Sequence, residues 1–212
     1  MKYLYLVIFL ATFFVAESYA QKPEFGLKAG LNLANLSGVS SGVDAKIKPG
    51  VNLGVYGHIP ITNQIYYFPE LVFSSLGSKY SYFQSASSTA VVGNTTLNLN
   101  YLNLLPLSVK LYVSKSKALN LIARPQLGIL VSAKAEGEIY GDPVNEDIKE
   151  EMNVMDIGLM IGLGYDTSFG LNIGGKYQHG LSNIDKNKTD IWGNELPPLT
   201  NRVIQFYLGY AF

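Results

Sequence analysis

From residue 25 onward the chain alternates between two kinds of position. In "FGLKAGLNL" the odd residues Phe25, Leu27, Ala29, Leu31 and Leu33 are apolar, and Gly26, Lys28, Gly30 and Asn32 lie between them. A period of two is the mark of a strand with two unlike faces. The odd-apolar rule returns in Ile47–Ile59 and, more loosely, in Ile65–Ser75. It continues through Leu97–Val113, Leu119–Ala133, Met155–Tyr165 and Leu171–Tyr177. The closing stretch 202–212 alternates on even positions, with Ile204, Phe206, Leu208, Tyr210 and Phe212 apolar. This predicts eight strands. Short links near 60–64, 114–118 and 167–170 alternate with long ones near 37–46, 77–96, 135–153 and 185–199. That rhythm predicts an all-β, antiparallel, up-and-down barrel with one plain rim and one elaborated rim.

Alternation alone allows two opposite proteins. A soluble, lipocalin-like barrel turns its apolar face inward around a ligand. A transmembrane barrel turns it outward to lipid. Glycine separates the two. The polar face carries Gly26, Gly30, Gly50, Gly54, Gly128, Gly158, Gly162, Gly164, Gly174 and Gly209, against Gly57 and Gly175 on the apolar face. A glycine row has little to offer a solvent face. In a narrow eight-stranded lumen it makes room for long neighbours. Those neighbours are present as Lys28, Glu70, Lys110, Arg124, Asp156 and Lys176, which share the polar face. Such charges would cost about 2–4 kcal/mol each against lipid near the midplane, so the polar face is expected inside, its charges satisfying one another. Aromatic residues near the short turns (Phe25, Tyr67, Tyr165, Phe169, Tyr210, Phe212) make the expected interfacial girdle.

Composition narrows the picture further. Lys plus Arg equals Asp plus Glu at 16 each, which removes the basic excess of a nucleic-acid binder. The absence of cysteine rules out disulfides and a lipidated N-terminal Cys. Residues 1–20 read as a signal peptide: Lys2, the apolar "YLYLVIFLATFFVA", then "SYA" before Gln21. The mature barrel domain is expected over 21–212.

The ordered strand motifs resemble one family. "FGLKAGLNLANLSG", "PELVFSSLG" with Glu70 in the acidic position, "YLNLLPLSVKLYV", "DIGLMIGLGY", "GKYQHGLSNI" and "NRVIQFYLGYAF" together are similar to the PorT-like outer-membrane β-barrel family. The fourth strand departs from that family's pattern, with Asn103 where an acidic residue is usual and an extra Leu before the proline. The resemblance implies a small barrel in the outer membrane of a Gram-negative bacterium, its N-terminus and short turns periplasmic. It implies no assigned activity, although the namesake is associated with protein secretion. The ending Phe206, Leu208, Tyr210, Phe212 resembles the signal read by the barrel-assembly machinery.

Catalytic chemistry is sparse. His58 falls on the polar face near a short turn and His179 on the apolar parity near a long one, so the two histidines do not converge as a hydrolase or acyltransferase requires. The acidic stretch around "GDPVNED" lacks the central glycine of a calcium loop. The close glycines of "GLMIGLGYD" sit inside a strand, not before a helix. No catalytic, cofactor-binding or metal-binding residue is therefore expected, and eight strands leave little or no aqueous channel. The reading is a non-enzymatic envelope protein with a structural or accessory role, one use being secretion or surface assembly. Its partners would be outer-membrane lipid, the assembly machinery and other envelope or secretion proteins. The alternatives are the soluble ligand-binding barrel and a small membrane-embedded acyltransferase-type enzyme.

Overall fold

A computed structural model describes residues 23–39, 43–83, 91–114, 116–187, 189 and 195–212; the expected signal peptide over 1–20 lies outside them. The described strands are β1 (Glu24–Ser37), β2 (Val43–Pro60), β3 (Ile65–Tyr67), β4 (Glu70–Phe83), β5 (Val91–Leu105), β6 (Val109–Tyr112), β7 (Leu119–Ile139), β8 (Asp142–Asp147), β9 (Met155–Asp166), β10 (Leu171–Gly180) and β11 (Thr200–Ala211). They build eight staves. β3 and β4 form one stave interrupted at Phe68–Pro69, and β5 and β6 form another interrupted at Pro106–Ser108. Proline has no N–H to give the ladder, which accounts for both breaks. β8 is an addition that pairs only with β7.

Every pairing is antiparallel, and β1 pairs with β11 from Gly26↔Ala211 to Ser37↔Thr200, so the sheet closes on itself. Followed around the wall, the register returns to β1 displaced by about ten residues, the stagger of a small barrel with strands tilted about 35–45°. Closure leaves no open edge in the wall, as a hydrocarbon surround demands.

The lower two-thirds follows the expected parity. Leu27, Leu31, Val51, Leu53, Leu71, Phe73, Leu121, Ile161, Leu163, Ile173, Phe206 and Leu208 face outward and are exposed. Lys28, Asn32, Asn52, Glu70, Asn103, Arg124, Gln126, Lys176 and Gln205 face inward and are buried. Toward the elaborated rim the polarity reverses. Leu36, Leu76, Leu97, Leu99, Tyr101, Leu130, Ala133 and Val203 fill the interior as an apolar cluster, while Lys79, Lys134 and Glu136 face out and are exposed.

Three expectations are corrected here. The odd residues Leu97, Leu99 and Tyr101 were placed on the outer face; they point inward. The odd-outward phase holds only after the Pro106–Ser108 break, where Leu107, Val109 and Leu111 are exposed. Second, the long links near 77–96 and 135–153 are mostly strand, and β2 already begins at Val43 within the link near 37–46. β2 spans 18 residues and β7 spans 21, well beyond the about 9–11 that a tilted crossing needs. Third, the acidic stretch is a hairpin, β7 with β8, in register from Lys134↔Asp147 to Ile139↔Asp142. Its turn is Tyr140–Gly141, both at positive φ (53° and 86°), a conformation glycine accepts readily.

Candidate functional site

The inward side chains fall into three layers rather than one network. The middle layer is built on Glu70, the first residue of β4 after Pro69. Its carboxylate receives Lys28 of β1 on Oε2 and Lys176 of β10 on Oε1 (2.9 Å). Arg124 Nη1 of β7 lies 2.7 Å from Oε1, an ion pair by distance rather than an aligned hydrogen bond. All four side chains are at most 2% exposed. One carboxylate therefore gathers three basic side chains in a closed interior. The aromatic ring of Tyr207 shares the load, with Lys176 Nζ 4.3 Å and Lys28 Nζ 5.6 Å from its centroid. Arg124 also directs Nε and Nη2 at Met160 Sδ (3.2 and 3.0 Å).

Glycines make that packing possible. Gly164 and Gly174 oppose each other on β9 and β10, and Gly174 opposes Tyr207 on β11. A Cβ on Gly164 would come within 2.7 Å of the Tyr207 hydroxyl and 2.6 Å of Asn120 Oδ1. A Cβ on Gly162 would meet Lys176 Cγ at 2.7 Å, and one on Gly128 would meet Asn103 Oδ1 at 2.8 Å. The glycine row is a set of berths for long side chains from the neighbouring strands.

The layer nearest the short turns is a second cluster. Lys110 does not join Glu70; its Nζ pairs with Asp166 Oδ2 at 2.9 Å and lies 4.1 Å from the Phe68 ring centroid. The Tyr112 hydroxyl also reaches Asp166, and stands 3.0 Å from His58 Nε2. His58 Nδ1 meets Glu24 Oε2 at 3.0 Å and stacks on Tyr66 (4.3 Å between centroids). Glu24, His58, Lys110 and Asp166, with Tyr56 and Asn172, border a cavity of about 40 Å³. That is room for about one water, whose share of liquid volume is about 30 Å³. The residues form a hydrogen-bonded chain from Glu24 through His58 and Tyr112 to Asp166.

The top layer is the apolar cluster and a lid. Asp156 stands here, apart from the other charges, and accepts from Ser182 Oγ (2.9 Å) and Asn201 Nδ2 (3.0 Å). The chain after β8 turns through a single 3₁₀ turn, Lys149–Glu151, and drops Met152 onto the cluster beside Ile184. The two segments are tied together. Asn153 N donates to Ile184 O (2.8 Å), and Asn153 Nδ2 donates to the carbonyls of Asn183 and Asp185 (2.9 and 3.0 Å). Leu199 N donates to Asn183 Oδ1 at 2.9 Å.

On the outer wall the C-terminal row is as expected in orientation: Phe206, Leu208, Tyr210 and Phe212 are all at least half exposed. The backbone N–H of Phe212 still donates to Phe25 O (2.9 Å), so the last residue belongs to the closing seam.

With the closed wall and the layered lumen described, the comparison with known families is decisive. The family model described as "Outer membrane protein beta-barrel domain" matches residues 19–186. The chain belongs to this family. As an outer-membrane β-barrel it has solved structural counterparts of similar fold. Ail, the attachment invasion locus protein of Yersinia pestis, in complex with the heparin analogue sucrose octasulfate, shares 12% identity at a TM-score of 0.50. That match covers 91% of this chain and 100% of the other. Neisserial surface protein A gives 11% identity and a TM-score of 0.46, with 91% and 100% covered. No curated protein matches the chain in sequence. At such identities the Ail likeness is one of fold alone.

Within this outer-membrane barrel, four of the six inward charges named from sequence meet: Lys28, Glu70, Arg124 and Lys176. Lys110 and Asp156 do not join them. Their separate placement follows from height along the strand, which parity does not encode. Sequence reasoning missed Asp166, Tyr112 and Glu24 because they stand at strand ends, where alternation carries least information. It also missed the lid, since Met152 and Ile184 lie in irregular chain.

Proposed function

We propose that this protein is a non-enzymatic, non-conducting barrel that presents its elaborated rim to other components of the envelope. The carrying observation is that the lumen is filled at three heights: the Asp166 cluster, the Glu70 cluster, and the apolar cluster beneath Met152 and Ile184. A filled lumen supports neither transport nor a substrate pocket, so the surface left for function is outside the wall. Among the described residues the β7–β8 hairpin is the most extended such feature. Its free edge carries Pro143, Glu146 and Asp147, which discourages strand addition, so side-chain recognition is its expected mode.

The finer reading keeps the PorT-like likeness: a cleaved signal over residues 1–20, termini and short turns in the periplasm, and an accessory role in secretion or surface assembly. The conductance test is direct. Purified protein in planar bilayers should give no sizeable single-channel steps, and stable currents would refute the closed-lumen reading. Crosslinking from native membranes, with and without residues 136–145 of the hairpin, should lose envelope partners when the hairpin is removed. An unchanged partner set would place function elsewhere.

A further inference from the structure

The outer wall has a groove over the small residues Ala123 and Gly175. Ala123, Ile161, Leu163, Gly175, Tyr177 and Ile204 line it, and its volume is about 820 Å³. Gly175 faces outward at its floor. A Cβ there would meet only Gln205 O and the Phe206 ring, at an ordinary 3.8 Å. Glycine at this position is therefore not demanded by packing within the wall, unlike the lumen glycines.

Directly above the groove the wall carries an arginine. The next outward residues along β10 and β11 are His179 and Arg202, which are register partners. They stand two residues beyond Tyr177 and Ile204, about 7 Å along the strands. Arg202 Nη1 donates to His179 Nε2 (2.8 Å) and Nε to Ser37 Oγ (3.3 Å). Among the described residues no carboxylate lies within ion-pair distance of this guanidinium. An outward arginine at the edge of an apolar band sits at headgroup depth, and its planar fork matches phosphate oxygens. Below it, the groove is apolar, as an acyl chain is.

We infer that Arg202, His179 and this groove form a binding site for an anionic phospholipid, its phosphate on Arg202 and one acyl chain along Gly175. The site goes beyond the proposed function and needs only the membrane-spanning barrel.

The test uses folded full-length protein in zwitterionic detergent, read by native mass spectrometry with phosphatidic acid as probe. Phosphatidic acid should be retained one-to-one in preference to phosphatidylcholine. Retention should fall about tenfold or more in Arg202→Gln, the loss of a charge-assisted contact. Gly175→Leu fills the groove without touching Arg202 or His179 and should weaken retention as well. Equal retention by wild type and both variants overturns the proposal. So does displacement of phosphatidic acid by equimolar inorganic phosphate, which would mark an adventitious anion site only. If Gly175→Leu retains the lipid as wild type does, the acyl groove is refuted, whatever Arg202→Gln shows. SDS-gel mobility without boiling checks that each variant is folded.

Discussion

Glu70 is the residue on which the interior depends most. Three buried cations converge on it, and removing one partner of a buried ionic cluster leaves charge with no compensation, at a cost of about 3–5 kcal/mol. Glu70→Ala should therefore lower unfolding stability by roughly that amount, measured by urea titration in lipid vesicles. Adding Lys28→Met to the same chain should restore part of the loss; no restoration would mean that the cations do not couple through this carboxylate. The glycine berths give a second prediction at the same scale. Gly164→Val drives a methyl-bearing carbon into the Tyr207 hydroxyl and Asn120, and overpacking of this kind typically costs about 1–3 kcal/mol. Tyr207→Leu in the same chain should relieve it, and a purely additive pair would show that the two residues do not compete for space.

At the level of the strand, legibility depended on what surrounds the wall. Where lipid lies outside, alternation was readable: β1, β9, β10 and β11 have the orientation that their sequence predicts. Where water lies outside, the rule inverts. "LNLNY" alternates as cleanly as "FGLKA", yet its leucines face in and its asparagines face out. A period of two states that a strand has two faces and says nothing about which is which. Val131 adds to the difficulty. Asn100 opposes Ser132 while Tyr101 opposes Leu130, so Val131 is an extra residue that resets the phase of β7. The Glu70 cluster was readable because its members share parity over the lipid-bound height; the His58–Tyr112–Asp166 cluster lay at strand ends, where nothing in the pattern locates it. The C-terminal strand carries its own prediction. Phe212 supplies both a seam hydrogen bond to Phe25 and an outward aromatic. Deleting it should reduce the folded protein in outer-membrane fractions while export of the chain is unaffected. Wild-type membrane levels of the deletion would remove the last residue from the assembly signal.

The whole molecule is two barrels end to end on one set of staves. One is apolar outside and polar inside; the other, toward the lid, is polar outside and apolar inside. Both orientations of the apolar face are present, at different heights. The closed seam of twelve register pairs between β1 and β11 joins them into one cooperative wall. The folded protein should therefore resist SDS at room temperature and shift mobility only on boiling, a gel result that a partly open sheet would not give. The level at which the two polarities meet has a mechanical consequence. Outside the wall it is the line from Asn100 and Ser132 to His179 and Arg202, and neither half can cross it cheaply: raising it strands leucines in water, lowering it pulls charges into hydrocarbon. The protein thus carries its own depth gauge. Moving the mark on one side, with Asn100→Leu and Ser132→Leu, should sink that side into the bilayer and lean the whole barrel, a change readable as altered tilt in oriented-membrane infrared dichroism.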